Sequence, residues 1–289
     1  MVRPYKLLIF LVIFLLPQGI PFETSAKKSK EKAGKHLWDY KRQHKTSFSM
    51  EQEIKIGTHY LQEQIKIFRK KNVGVDLPKH AKLKNRINNI VRKIAKVSDM
   101  PDLPYEVHVF DMPKVVNAYC LPGGKIGVFT GLFDPQKGLV DINNDAQIAA
   151  ILSHEISHAT MRHATRQISS AMALNALGSI ASIALGAGVG SSAQFAFDSL
   201  FSLSTNLIMP GYSRKHEKEA DRVGFYYMSK AGFNPEAAVQ IWEQAANRKD
   251  KHDKTSAFAS HPSDGSRAKA LKKWLPEAMQ VYRKEINPP

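Results

Sequence analysis

Cysteine is almost absent: Cys120 is the only one in 289 residues. No intramolecular disulfide can form, which excludes a small disulfide-stapled scaffold. Acidic residues are also few, with 26 Asp plus Glu against 42 Lys plus Arg and a formal charge of +16 at neutral pH. A balance that basic favours contact with an anionic surface, whether nucleic acid, lipid headgroups or lipopolysaccharide, without choosing among them. No internal repeat is present. What the chain does have is 43% hydrophobic and 24% charged residues, enough to bury a real core. That composition excludes a disordered acidic tail, a collagen-like repeat and a multi-span membrane protein, and the length allows one or two domains.

The N-terminus narrows the choice of anionic surface. Arg3 and Lys6 precede an unbroken apolar run, Leu7 to Leu16, which Pro17 and Gly19 end. As a helix that run is about 15 Å long, roughly half the hydrocarbon thickness of a bilayer, so it does not read as a permanent span. With Thr24, Ser25 and Ala26 behind it, residues 1–26 read as a secretory signal peptide. No cysteine lies near the cleavage site, which argues against a lipid-anchored form. Removal of Arg3, Lys6 and Glu23 leaves a charge of +15. The expected location is therefore outside the cytoplasm, in a bacterial periplasm, at or near an anionic membrane surface. Export argues against nucleic acid as a partner, and no aromatic-interleaved basic motif restores that reading.

Residues 27–49 read as a basic flexible arm and 50–289 as one catalytic domain. Apolar positions at helical spacing predict a helix over 50–73 and a second, basic one around Leu83 to Ile94. Tyr105 to Phe110 alternates like a strand, Asn117 to Gly124 reads as a turn-rich loop, and Lys125 to Thr130 as a second strand. Asn144 with Gln147 suggests a capping box before a helix carrying Ser153-His154-Glu155-Ile156-Ser157-His158. Residues 167–197 hold no charge and are rich in Ala, Gly and Ser. Their polar and glycine content favours a buried or membrane-surface hairpin over a span.

The chemistry gathers on two helices. His154 and His158 are four apart and share a face, so both rings can point at one ion. Glu155 lies about 100° around the same helix, within reach of a water on that ion. This is the arrangement of a zinc peptidase. Catalytic zinc takes three protein ligands and keeps one open position. His163 projects about 180° from His154 on a continuous helix and is read as structural. The downstream stretch Tyr212 to Asp221 offers Glu217 and Asp221 on one face, while Glu219 points about 200° away from Glu217. Glu217 is the candidate third ligand. Asp221 is either an acceptor that fixes a ligand imidazole or an acid during turnover.

Four blocks resemble one family, the zinc metalloendopeptidases of the HtpX, CAAX-prenyl-protease and Oma types. They are Asn117 to Gly124 with the strand after it; His154 to His158 with Arg162 and His163; Ser213 to Asp221; and Ser260-His261-Pro262 with Arg267. The resemblance covers about residues 50–275. It implies an α+β, mainly helical, gluzincin-like zinc protease domain with a small sheet beside the zinc-binding helix. It implies one Zn2+ per subunit on His154, His158 and Glu217, Glu155 as catalytic base and Asp221 as proton donor. Cys120 stands where alanine is expected and packs as a small apolar residue.

The function that follows is hydrolysis of peptide bonds in unfolded or misassembled envelope proteins. The strand Lys125 to Thr130 is the expected free edge for an extended substrate. His261 is the candidate donor to the oxyanion, or a resting fourth ligand. The competing reading is a zinc-stabilised periplasmic chaperone or assembly factor with little proteolysis; the presence of Glu155, which a structural site does not need, weighs against it.

Overall fold

A computed structural model describes residues 46–170, 173, 212–247 and 266–288. The signal-peptide reading, nearly all of the basic arm and of the uncharged 167–197 segment, and His261 lie outside the described residues.

Helix α1 (Met50–Lys70) begins at Ser49, whose side chain accepts from the Gln52 N–H while the Gln52 side chain accepts from the Ser49 N–H. That reciprocal pair satisfies two donors at the helix start. Gly57, Leu61, Ile65 and Phe68 form the buried stripe of α1. Gly57 is required by proximity: a Cβ there would lie 1.8 Å from the Pro122 carbonyl oxygen. Helix α2 (Ala81–Val97) buries Ile87, Ile90, Val91 and Ile94 and leaves its Lys and Arg side outward. The sheet is three-stranded, in the order β1 (Glu106–Phe110), β3 (Lys125–Phe129), β2 (Ala118–Leu121). β1 runs parallel to β3, and β2 antiparallel to it.

Two expectations are corrected here. The Asn117 to Gly124 stretch is not all loop, because Ala118–Leu121 is a strand followed by a tight turn at Pro122–Gly124. All four residues of β2 are buried, so the alternation that betrays a half-exposed strand is absent. In consequence β3 is the central strand and not a free edge; among the described residues the edges are β2 and β1, and the outer side of β1 is partly paired with the 74–76 stretch.

Helix α3 (Asp145–Thr160) starts at Asn144, whose side chain accepts from the N–H groups of Ala146 and Gln147. Gln147 does not complete the box; its side chain accepts from the Asp141 N–H. Every residue of α3 from Gln147 to Thr160 is buried, since α2, β2, α4 (Arg214–Lys230) and α5 (Glu236–Asn247) surround it. Helix α6 (Ser266–Ile286) closes against α4 and α5. The chain is thus mainly helical with a small sheet beside α3. No helix among the described residues is long and apolar enough to cross a membrane.

The contact between α3 and α4 is close because of one residue. A Cβ on Gly224 would lie 2.8 Å from the backbone of Ser153 and His154. Backbone cannot yield as a side chain tip can, so Gly224→Ala should lose about 1–3 kcal/mol of stability in urea unfolding. A wild-type midpoint and slope in that variant would show that the two helices are not held at this distance by Gly224.

Candidate metal centre

Two positions one turn apart on α3 and one in the first turn of α4 bring three donor atoms together. His154 Nε2 lies 3.1 Å from His158 Nε2. Glu217 Oε2 lies 3.5 Å from His154 Nε2, and Glu217 Oε1 lies 3.6 Å from His158 Nε2. All three residues are buried. Donors about 2.0–2.1 Å from a tetrahedral zinc are about 3.3 Å apart, which is the spacing found.

The hydrogen-bond pattern supports the same use. His154 Nδ1 lies 3.0 Å from Asp221 Oδ1, and a ring proton on Nδ1 makes that a donor to the carboxylate. His158 Nδ1 lies 2.9 Å from His163 Nδ1. With both Nδ1 atoms donating, both Nε2 atoms carry lone pairs aimed at one point, and such a pair repels unless a cation lies between them.

Arg267 sits behind Asp221 and Glu217. Its Nε donates to Asp221 Oδ2 at 2.8 Å and its Nη2 to Asp221 Oδ1 at 2.5 Å, while Nη1 lies 3.1 Å from Glu217 Oε2. Arg267 Nη2 also lies 3.2 Å from His154 Nδ1. Two donors meet there, so both serve Asp221 and neither serves the other. The guanidinium lies flat over Trp242, 3.5 Å from the ring centre. Burial alone raises the Asp221 carboxyl, but Arg267 and His154 outweigh it and hold the group below the usual carboxylate range.

Glu155 is buried, and it lies close enough to Cys120 and Tyr212 to raise the thiol and the phenol further after burial itself has raised both. Asp221, Glu217 and Glu155 are all buried and all act on the Arg267 guanidinium, holding it charged against its own burial. For His154, burial and Arg267 oppose the charged ring, yet Asp221 and Glu217 prevail and push it up to about 9.

The structure brings together His154, Glu155, His158, Glu217 and Asp221; His261 lies outside the described residues. His163 does not project as on a continuous helix. Arg162 adopts φ +57°, which ends α3, and a helical segment over 163–170 begins afresh. That turn brings His163 against His158. Sequence reasoning assigned no role to Arg267, Trp242, Tyr212 or Arg166. The signals for Arg267 were its place in the fourth block of the resemblance and its setting, an arginine beside apolar positions (Ala268 and Leu271 follow it) on the inner face of α6.

The chain matches the model of Peptidase family M48 over residues 81–275. This protein belongs to that family. It is 38% identical over 198 residues to the mitochondrial metalloendopeptidase OMA1 of Schizosaccharomyces pombe, covering 68% of this chain and 54% of that protein. It is 31% identical over 221 residues to the OMA1 of Saccharomyces cerevisiae, covering 71% and 60%. To the metalloprotease LoiP of Escherichia coli it is 25% identical over 195 residues, covering 68% and 71%. The chain thus spans between half and two thirds of the length of the two yeast relatives. The family match starts at α2, so α1 packs on the M48 region from outside it.

A divalent cation and a proton compete for His154 Nε2. With a folded-state value of about 9 for that ring, the protonated form dominates below it and must lose its proton on binding. Metal affinity should therefore fall by about tenfold for each pH unit below 9, until other groups titrate. Zinc titration at pH 6, 7 and 8 checks this, and a flat affinity across that range excludes the competition.

Proposed function

We propose that this M48 chain is a zinc-dependent endopeptidase, with His154, His158 and Glu217 as ligands of one Zn2+. The observation that carries the reading is the convergence of those three buried donors from two distant helices at tetrahedral spacing. Zinc, when bound, polarises a scissile carbonyl and lowers the pKa of a water beside it.

The chain's own residues do the rest. Glu155 follows a ligand directly on α3, and its carboxylate takes the proton of the attacking water and delivers it to the leaving amine. Asp221 accepts from His154 Nδ1 and holds that ring in place. Its two-point bond to Arg267 favours this acceptor role over that of an acid, because the proton-bound form forfeits the ion pair. His261 remains the proposed donor to the oxyanion. An extended peptide pairs with β2, the edge strand that packs on α3, in place of the central β3. Such pairing requires an unfolded or loop segment, so the proposed substrates are unfolded or misassembled envelope proteins. The proposed setting is the space outside a bacterial inner membrane, after removal of residues 1–26. The domain proper is proposed to cover 50–289, with 27–49 as an arm and 167–197 as an insert.

Glu155→Gln should bind zinc like the wild type and cleave unfolded casein about 10²–10⁴-fold more slowly. Glu217→Ala should lose both the ion and the cleavage. Full activity in Glu155→Gln refutes the base assignment, and zinc binding without casein cleavage by the wild type favours the chaperone reading.

The formal charge of +16 supports a second element of the proposal, attraction to an anionic membrane surface. Binding to vesicles that contain anionic lipid should be strong at low salt and largely lost at 1 M, where the screening length is about 3 Å. Salt-insensitive binding in a flotation assay removes the electrostatic part.

A further inference from the structure

His154 is backed directly by a carboxylate, but His158 is not served in the same way. His158 Nδ1 faces a second imidazole, His163 Nδ1, at 2.9 Å. His163 Nε2 lies 3.0 Å from Glu219 Oε2, and Arg166 Nη1 donates to the same oxygen at 3.0 Å. We propose that His163, anchored by Glu219 and Arg166, is a positioning residue that sets the tautomer and orientation of His158 for metal binding. The inference rests on the metal-centre reading above.

The directions of the bonds follow from the chemistry of the rings. A neutral imidazole has one N–H and one lone pair. For His158 Nε2 to face a cation, the proton of that ring must be on Nδ1, which then donates to His163 Nδ1. His163 must accept there, so its own proton is on Nε2 and donates to Glu219. Glu219 as a carboxylate can only accept, so it fixes the direction of the whole chain. Arg166 donates to the same carboxylate oxygen and holds it in place.

The ring planes are fixed as well. Tyr212 stacks on His158 with centroids 3.9 Å apart and planes 17° apart. His216 stacks on His163 at 4.5 Å and 15°. His163 is fully buried, and it reaches this place because α3 ends at Arg162. Glu219 is thus not an idle neighbour of Glu217: pointing to the opposite side of α4 is what lets it meet the far side of His158 through His163.

Three variants of the full chain separate positioning from simple packing, with zinc alone competed against a chromophoric chelator. In His163→Asn the amide oxygen stands where Nδ1 stood and still accepts from His158; zinc affinity should stay within about threefold of the wild type. His163→Phe fills the space without an acceptor and should bind zinc about 10–100-fold more weakly, in line with outer partners of other metal-bound histidines. Should His163→Phe not fold, His163→Gln takes its place, since its longer amide reaches toward Glu219 and leaves His158 Nδ1 without its acceptor. Binding at least tenfold weaker than in His163→Asn is then expected. Equal zinc affinities in the acceptor-keeping and acceptor-lacking variants overturn the inference, because packing alone has no reason to follow the acceptor. Absence of zinc binding in the wild type overturns the metal centre itself, a distinct failure.

Discussion

The approach of α3 to α4 at Gly224 is the constraint on which the other contacts depend. It places the first turn of α4 over the histidines of α3, and from there every polar group has one place to go. Glu217 and Asp221, one turn apart, meet His158 and His154, while Glu219 leaves on the other side to meet His163. A shift of one ångström between these helices would turn donor spacings that suit a metal into ordinary polar contacts. The helices are held by apolar packing along α3, which is buried on all sides, and not by the polar groups themselves.

Burying so many ionisable groups is costly, and the protein treats the inner and outer groups differently. Each outer carboxylate is matched by a guanidinium: Glu53 accepts from Arg162 and Glu219 from Arg166. At the centre one guanidinium is shared: Arg267 binds Asp221 at two points and lies beside Glu217. Several buried carboxylates close together are costly to keep ionised, so a centre of this kind favours positive charge. A proton on His154 is one source, which is why that ring is pushed up. A divalent cation is a better one, since it satisfies the lone pairs of two imidazoles and a carboxylate together.

Legibility in the sequence followed distance along the chain. His154 with His158, and Glu217 with Asp221, were readable because helical periodicity converts a spacing of four into a shared face. Glu219 was readable as pointing away from Glu217, but its target was not. Arg267 meets Asp221 across 46 residues, and no local rule connects them. β2 was hidden by its shortness, four residues running straight into the Pro122–Gly124 turn, and with it went the order of the sheet and the identity of its edges. The angle assigned to His163 failed for a single backbone reason, the left-handed turn at Arg162, which restarts the helical phase.

That turn also explains why α1 matters although it lies outside the family match. A non-glycine residue in the left-handed region carries about 1 kcal/mol or more of strain, and the surrounding contacts must hold it there. Arg162 is held from α1: its Nε and Nη2 both lie 2.8 Å from Glu53 Oε1, and Nη2 donates to the Phe48 carbonyl at 2.6 Å. Thr165 adds a bond to the same Glu53 oxygen at 2.6 Å. Glu53 is thereby tied to the turn itself and to the helical segment after it, which His163 begins. Contacts run without interruption from α1 through the Arg162 turn and His163 to the ring of His158. The first helix is thus a brace for the metal-binding end of α3, and its buried glutamate bears on the centre by fixing where the next histidine starts.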